Sequence, residues 1–434
     1  MLATYLDLAS PPSSSLPFSA NDDDNKGESN NSSALSQAVA AAYTKIPTFM
    51  SRFSIHDAPS FLRFANDLLT WVPSEGCEGR DIYDVLCMFY FVLGQKPLGS
   101  LQARIVPGGT GDGKGCGRKT HASWLSDWIV VYAQMIGSWM DSSESLTEES
   151  LETFWRCGRH NLHEAEVPEG GFRSFNEFFG RRLKVGVRSV EGVGEDGVIV
   201  YPADCKLAGA EEGEGEGGEG GAGGGGGGIV EVERGGVVRI KGLPWTIGEL
   251  LGGEGEGRVG GGYEGFEGGI WMHAFLNTYN YHHVHAPVSG RVVEARKVRG
   301  LACFEVVVEE GEKGATCRRV EDTSERKGER VLTAPNTPGY QFLQTRGVVI
   351  IENTLLGKVA VLPIGMAMVS SVRLSVKVGD VVEKGDEIAG FAFGGSDVIC
   401  VFERRAGLRA EDFVRSPPGE GEWSRYGSVL AKVH

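Results

Sequence analysis

The sequence predicts an α+β protein in which a helical N-terminal region packs on a β-rich domain. Between residues 46 and 183, apolar residues recur three and four positions apart, which is typical of amphipathic helices. From residue 184 onward, short β-branched runs alternate with glycines, which predicts antiparallel strands. With 434 residues, 41% of them apolar, the chain can bury a sizeable core.

Three low-complexity segments interrupt these patterns. Residues 1–45 are rich in Ser, Asn, Asp and Pro, and we predict a disordered tail because they bury too little apolar surface to offset their ordering entropy. Residues 211–228 and 252–262 are rich in Gly and Glu, which predicts disordered inserts. The domains expected are therefore a helical region over 46–183 and a β-rich domain over 184–434.

Charge, cysteine content and hydropathy exclude several classes of protein. The net charge of −15, with no basic patch, disfavours binding to nucleic acid or anionic lipid surfaces. The eight cysteines show no zinc-type spacing, so we predict reduced thiols and no metal site. The longest apolar run, Val85 to Leu93, has nine residues, whereas a membrane span requires roughly 20, and the N-terminus lacks secretory features. We expect a cytoplasmic protein without a transmembrane anchor.

The last predicted helix is aromatic on one face. Four phenylalanines between residues 172 and 179 share that face, which predicts core packing. Arg181 and two further basic residues follow, where the helix dipole favours cations.

Two motifs of the β-rich domain carry candidate functional side chains. In "VYPADCKL", Asp204 follows a β-run, where an aspartate is usually a turn former. In "NYHHVHAPVSG", an extended backbone would put His283 and His285 on one face and His282 on the other, so they do not form a ready-made metal trio. Imidazole acts as a general base but also occurs on plain surfaces, so this motif alone leaves both interpretations open.

A third motif, "GFAFGGSDVICVFE", interrupts a strand with Gly394-Gly395-Ser396. A bulge or tight bend is the usual explanation for glycine in a strand. The alternative is self-cleavage, because a serine hydroxyl can attack the preceding carbonyl and glycine leaves that approach open. Elimination from the resulting ester, followed by hydrolysis, would leave a pyruvoyl group at the new N-terminus.

Taken together and in this order, the motifs resemble the phosphatidylserine decarboxylase family. The matching elements are F-N-x-F-F-x-R-x-L at 175–183, P-A-D at 202–204, I-K-G at 240–242, Y-H-x-x-H-x-P at 281–287, the G-D and K-G-D pair within 378–386, and the final G-S at 395–396. The resemblance covers about residues 172–405, and six ordered motifs are more specific than any one of them.

The resemblance implies a proenzyme that cuts itself between Gly395 and Ser396 into chains of 395 and 39 residues. Ser396 would become the pyruvoyl cofactor. His285 would be the base for cleavage, Asp204 would orient it, and His282 would serve the decarboxylation. The hairpin over 376–391 also resembles the barrel-sandwich modules that carry biotinyl or lipoyl groups.

The chain departs from the family pattern at Cys205, Asn280 and Asp397, and the extra carboxylate beside Ser396 could slow processing or assist it. The segment "HAFLNTYNYHHVHAP" resembles a fungal branch that contains soluble L-tryptophan decarboxylases, which favours a free amino acid as substrate, aromatic ones included. Phosphatidylserine is the alternative substrate, and an uncleaved, non-catalytic binding homologue is the third hypothesis. Each is compatible with a homo-oligomer.

Overall fold

The computed structural model of the protein describes most of the two predicted regions. The described residues are 33–103, 123–208, 228–240, 243–252, 264–303, 307–310, 330–333, 343–365, 371–394, 396–414 and 423–433. The predicted inserts therefore lie outside the described residues, apart from Gly228 and Gly252 at their edges.

Helices dominate the described residues before position 180, as predicted. They are α1 Ala34–Lys45, α2 Pro47–Arg52, α3 Ala58–Asp67, α4 Asp81–Gly94, α5 Leu98–Leu101, α6 Trp124–Met140, α7 Glu148–Cys157 and α8 Phe175–Phe179. Several begin at a side chain that accepts a hydrogen bond from the first turn, among them Asp57, Ser123, Thr147 and Ser174. No described helix is both long and apolar enough to cross a bilayer.

Helix α1 corrects the predicted tail, which was placed too far along the chain. Its buried residues Leu35, Ala38, Val39 and Ala42 follow the i, i+3, i+4, i+7 spacing of one helical face. Ser33 caps its first turn. The Ser- and Asn-rich residues just before it conceal this short apolar face in a composition average, so the prediction of disorder is wrong for 33–45.

Strands dominate the described residues after position 197. They are β1 Val198–Val200, β2 Lys206–Leu207, β3 Ile229–Glu231, β4 Val237–Ile240, β5 Leu243–Thr246, β6 Ile270–Leu276, β7 His283–His285, β8 Gly290–Val298, β9 Val307–Glu310, β10 Arg330–Thr333, β11 Arg346–Asn353, β12 Gly357–Gly365, β13 Val372–Leu374, β14 Val381–Val382, β15 Glu387–Phe391, β16 Ser396–Phe402 and β17 Val429–Lys432. One short helix, α9 Ile247–Leu250, follows β5.

Within the described residues, eight strands form one antiparallel sheet in the order β14-β8-β11-β12-β16-β6-β2, with β3 also paired to β6. Strand β16 lies inside this sheet, between β12 and β6. A second sheet has the order β13-β15-β7 and carries the histidine motif. The hairpin over 376–391 thus contributes strands to both sheets, and its likeness to carrier modules stays a prediction.

The helical and β-rich parts share one hydrophobic core. It contains Phe61 and Phe175 from the helices as well as Val359 and Val398 from the large sheet. A second apolar cluster, with Trp271, covers the other face of that sheet. The helices therefore stabilise the sheet by burying its first face, and the domain boundary at residue 183 stays a prediction.

Candidate functional site

Asp204 is a buried ion-pair partner. It lies between β1 and β2, and its carboxylate accepts hydrogen bonds from Arg188 Nη2 at 2.6 Å and Nε at 3.3 Å. The backbone N–H of Tyr426 donates a third at 2.9 Å. Arg188 also binds Glu164 at 2.9 Å. Burial opposes the charge of Arg188, but its bonds to the two carboxylates raise the pKa of this guanidinium overall.

His285, at the end of β7, is held by contacts to both ring nitrogens. Its Nδ1 lies 2.7 Å from the carbonyl of Gly385, and a carbonyl only accepts, so Nδ1 carries the proton. Its Nε2 then accepts from the Tyr281 hydroxyl at 3.1 Å. Burial lowers the pKa of His285 to about 4. The ring is therefore neutral at neutral pH, which is the state of a general base.

Tyr426 connects Asp204 to His285. Its ring stacks on the His285 ring with centroids 3.8 Å apart and planes 3° from parallel, while its backbone N–H binds Asp204. The hydrogen bonds that orient the His285 ring are those to Gly385 and Tyr281. Tyr426 thus lies between Asp204 and His285 and contacts both. No sequence pattern marked this tyrosine.

His282 is fully enclosed just before β7. Its ring stacks on Phe179 of α8 at a centroid distance of 3.8 Å, and neither ring nitrogen has a hydrogen-bond partner among the described residues. Burial holds the pKa of His282 well below its usual value, and the positive charge of Arg181 lowers it further. His282 is accordingly a neutral imidazole with both nitrogens available to a ligand or a water molecule.

Arg181 departs from the sequence expectation. It is buried at 3% exposure, and its Nη2 donates to the carbonyls of His160 at 2.8 Å, Tyr279 at 3.0 Å and Asn280 at 3.3 Å. Burial lowers its pKa to about 10. This arginine fixes the turn that leads into His282 instead of lying exposed at the end of α8. In the sequence, Arg181 was marked only by its position two residues after Phe179, as the arginine of the F-N-x-F-F-x-R-x-L element.

His283 lies on the same face as His285, as the alternation predicted, since both rings pack on Tyr281. Its Nε2 donates to the Gly180 carbonyl at 2.9 Å, and its Nδ1 lies 3.3 Å from Glu387. The close contact with His283 lowers the pKa of Glu387 to about 2. In the described part of the chain, no three His, Cys, Asp or Glu side chains are grouped as metal ligands would be.

Ser396 is the first residue of β16, paired with Gly365 of β12 and Leu276 of β6. Gly394 has φ of +139°, a conformation that favours glycine. Gly395 and the side chain of Ser396 lie outside the described residues. The Gly395-Ser396 junction therefore lies at the start of a strand in the middle of the sheet.

Aromatic contacts bring His282 toward this junction. Phe393, three residues before Ser396, packs on Phe179 with centroids 5.5 Å apart, and Phe179 stacks on His282. His285 pairs with Glu387, at the end of β15 away from the junction. His282 therefore lies beside the end of β15 from which the chain runs on to the junction, whereas His285 lies beside the other end.

Asp397 forms a buried pair that the sequence did not predict. Its Oδ2 lies 2.8 Å from Nε2 of His273 on β6, and both side chains are 1% exposed. The carboxylate that departs from the family pattern is therefore hydrogen-bonded inside the protein.

These observations define an α+β protein that buries three motif histidines and Asp204 and has a glycine-serine junction at the start of a central strand. The model of the phosphatidylserine decarboxylase family matches residues 175–418, more than half of the chain. The chain therefore belongs to the phosphatidylserine decarboxylase family, whose members are carboxy-lyases.

Three relatives illustrate the similarity. Phosphatidylserine decarboxylase proenzyme 3 of Schizosaccharomyces pombe is 29% identical over 277 residues, 64% of this chain and 24% of the relative. Phosphatidylserine decarboxylase proenzyme 2 of Oryza sativa is 30% identical over 285 residues, 65% of this chain and 38% of the relative. Decarboxylase iboD of Amanita muscaria is 25% identical over 297 residues, 66% of this chain and 75% of the relative. The chain thus matches well under half of the length of the first two.

Proposed function

We propose that this protein is a self-cleaving, pyruvoyl-dependent decarboxylase that releases CO2 from a free amino acid, aromatic ones included, to give the amine. The observation that carries the proposal is the Gly395-Ser396 junction at the start of a central strand, with the buried His282 packed beside the residues that precede it. The S. pombe and rice relatives are named proenzymes, which supports a cut precursor.

In the proposed cleavage, the Ser396 oxygen attacks the carbonyl carbon of Gly395 and the C–N bond breaks, which leaves an ester. Elimination then breaks the ester C–O bond, so that Gly395 leaves as a carboxylate and residue 396 becomes a dehydroalanine. Its hydrolysis consumes one water and releases ammonia, leaving the pyruvoyl group. His285 would accept the hydroxyl proton at Nε2 once its hydrogen bond from Tyr281 opens, since the ring is neutral, and Asp204 would stabilise the charged ring across Tyr426.

The side chains packed beside the residues that precede the junction would suit an uncharged keto group. Phe179 and Phe393 supply an apolar environment, and His282 contributes two buried nitrogens without partners among the described residues. When present, the pyruvoyl carbonyl withdraws the electrons that departing CO2 leaves behind. We assign His282 to the substrate, where its ring nitrogens would handle protons near the carboxylate or at the carbon that loses CO2.

Two substrates compete for this site. A net charge of −15 without a basic patch disfavours approach to an anionic membrane, which favours a free amino acid. The similarity to a fungal protein named simply a decarboxylase is compatible with that choice. Phosphatidylserine is the second candidate, favoured by the names of the S. pombe and rice relatives.

Denaturing gels and intact-mass measurement test the cleavage. The wild type should give chains of 395 and 39 residues, whereas Ser396→Ala should give one chain of 434 without activity. Ser428→Ala is a matched control, because it removes a half-buried hydroxyl of the same small chain whose described bond is to the Arg425 carbonyl, and it should leave cleavage intact. A folded wild type that stays whole would contradict the proposal and favour the non-catalytic binding homologue.

Release of CO2 from the cut enzyme tests the substrate. Tryptophan, other free amino acids and phosphatidylserine liposomes are supplied separately, with Ser396→Ala as the blank. The proposal expects turnover of at least one free amino acid. If only the liposomes release CO2, the substrate is the phospholipid and not a free amino acid. The cleavage proposal would be unaffected by that result.

A further inference from the structure

The hydrogen-bonded pair of His273 and Asp397 lies one residue beyond the cleavage junction, in an apolar layer. Asp397 is opposite Phe275 in the β16–β6 register, so His273 is its diagonal neighbour on the same face. The Trp271 ring packs on His273 at 5.9 Å, and Trp271 belongs to the second apolar cluster. Burying a polar pair in such surroundings costs desolvation energy, so the presence of this pair calls for a reason beyond packing.

Cleavage would create a specific weakness at this place. Residue 396 would become a chain end, and chain ends fray unless they are tied down. A pyruvoyl group has neither an ammonium group nor a backbone N–H, so residue 396 would lose the donor that each ordinary residue brings to a strand. Asp397 is the first side chain of the new chain that could anchor it.

We propose that the His273–Asp397 pair holds the reactive end of the small chain in the sheet after cleavage. This positioning role rests on the proposed function and deepens it. Before cleavage residue 396 is also tethered through the chain that precedes it, because the N–H of Phe393 donates to Asn176 Oδ1 at 2.8 Å and that of Phe391 donates to the His282 carbonyl at 3.0 Å. The pair therefore becomes decisive only once the chain is cut.

Amide hydrogen exchange in cut and uncut chains tests this role. The double variant His273→Val with Asp397→Val replaces both partners of this hydrogen bond by apolar residues, so neither is left buried with its partner removed. It is made in the wild type and in the uncut Ser396→Ala background. Exchange of residues 397–399 should rise about tenfold in the cut variant and stay within about twofold in the uncut one, because only the cut strand can fray locally.

Ile399→Val is the matched control, since it trims a buried side chain of the same strand and should affect cut and uncut chains equally. Should the double variant fail to fold or to be cut, Asp397→Asn keeps the side-chain size and should show a smaller rise confined to cut protein. An equal rise in cut and uncut chains, or none in either, would overturn the role. Failure of both variants to be cut would assign the pair to cleavage itself and also overturn it.

The denaturing gel is run before the exchange measurement, and it distinguishes a failure of the proposed function from a failure of this inference. A wild type that stays uncut defeats the proposed function, and this inference with it. A wild type that is cut, but whose exchange does not depend on the pair, defeats the inference alone.

Discussion

Lowering the pH from 7.5 to 6 should weaken the fold through its buried histidines. Burial lowers the pKa of His160 to about 3 and of His285 to about 4, and it holds that of His282 well below its usual value. In the unfolded chain each ring binds a proton near pH 6.5, so the unfolded state takes up more protons as the pH falls and stability is lost. Each ring contributes about 0.8 kcal/mol over this interval, together about 2 kcal/mol.

Glu75 acts in the opposite direction. Burial raises its pKa to about 7, so the folded state takes up a proton that the unfolded carboxyl group, with a pKa near 4.5, does not. This contributes about 1 kcal/mol of stability on going to pH 6, which leaves a net loss of about 1 kcal/mol. The Glu75→Gln variant lacks this opposing group. Lowering the pH to 6 should therefore reduce its free energy of unfolding by the full amount of about 2 kcal/mol.

Urea unfolding of the uncut Ser396→Ala chain, with and without Glu75→Gln, measures both losses. In the uncut chain, unfolding does not separate a large from a small chain, and pH 6 stays above the isoelectric point of about 5.2. A Glu75→Gln chain equally stable at both pH values would refute the assignment of neutral buried histidines.

Three further variants probe the polar contacts of the site by denaturant unfolding of the uncut chain. Arg188→Met should cost about 3–5 kcal/mol, because it leaves the buried Asp204 without its cation; a loss below about 1 kcal/mol would contradict that. Arg181→Met should cost about 3 kcal/mol, since three carbonyls lose their donor, and unchanged stability would argue against this clamp. Tyr281→Phe should cost about 1 kcal/mol by removing the donor to His285, and a stabilised variant would disprove that hydrogen bond.

Periodicity predicted most of the fold but missed the strand that matters most for Asp397. Strand β6, "IWMHAFL", is buried on both faces, so it lacks the alternation that identifies a half-exposed strand. Without β6, His273 had no predicted location and the pair with Asp397 could not be foreseen.

The sequence predicted which residues belong to the candidate site, but it predicted fewer of the contacts that these residues make. The ordered motifs marked Asp204, His282 and His285, and the structure buries all three. Tyr426 has no sequence pattern of its own, and Gly385 belongs to the K-G-D element but nothing in the sequence pairs it with His285, so only the tertiary fold reveals these contacts. Arg181 is a different case. The helix-dipole rule explained its position from the neighbouring helix alone, whereas in the fold it binds three carbonyls from other parts of the chain.

The interior position of β16 has a consequence for the two chains of a cut protein. The small chain would supply one strand to the middle of the large sheet and a second, β17, which pairs with β1. It could not leave without opening hydrogen bonds on both edges of β16 and exposing Val398 and Cys400. Small chains of a mixed population would therefore not exchange, and each active molecule would keep the partner with which it was translated.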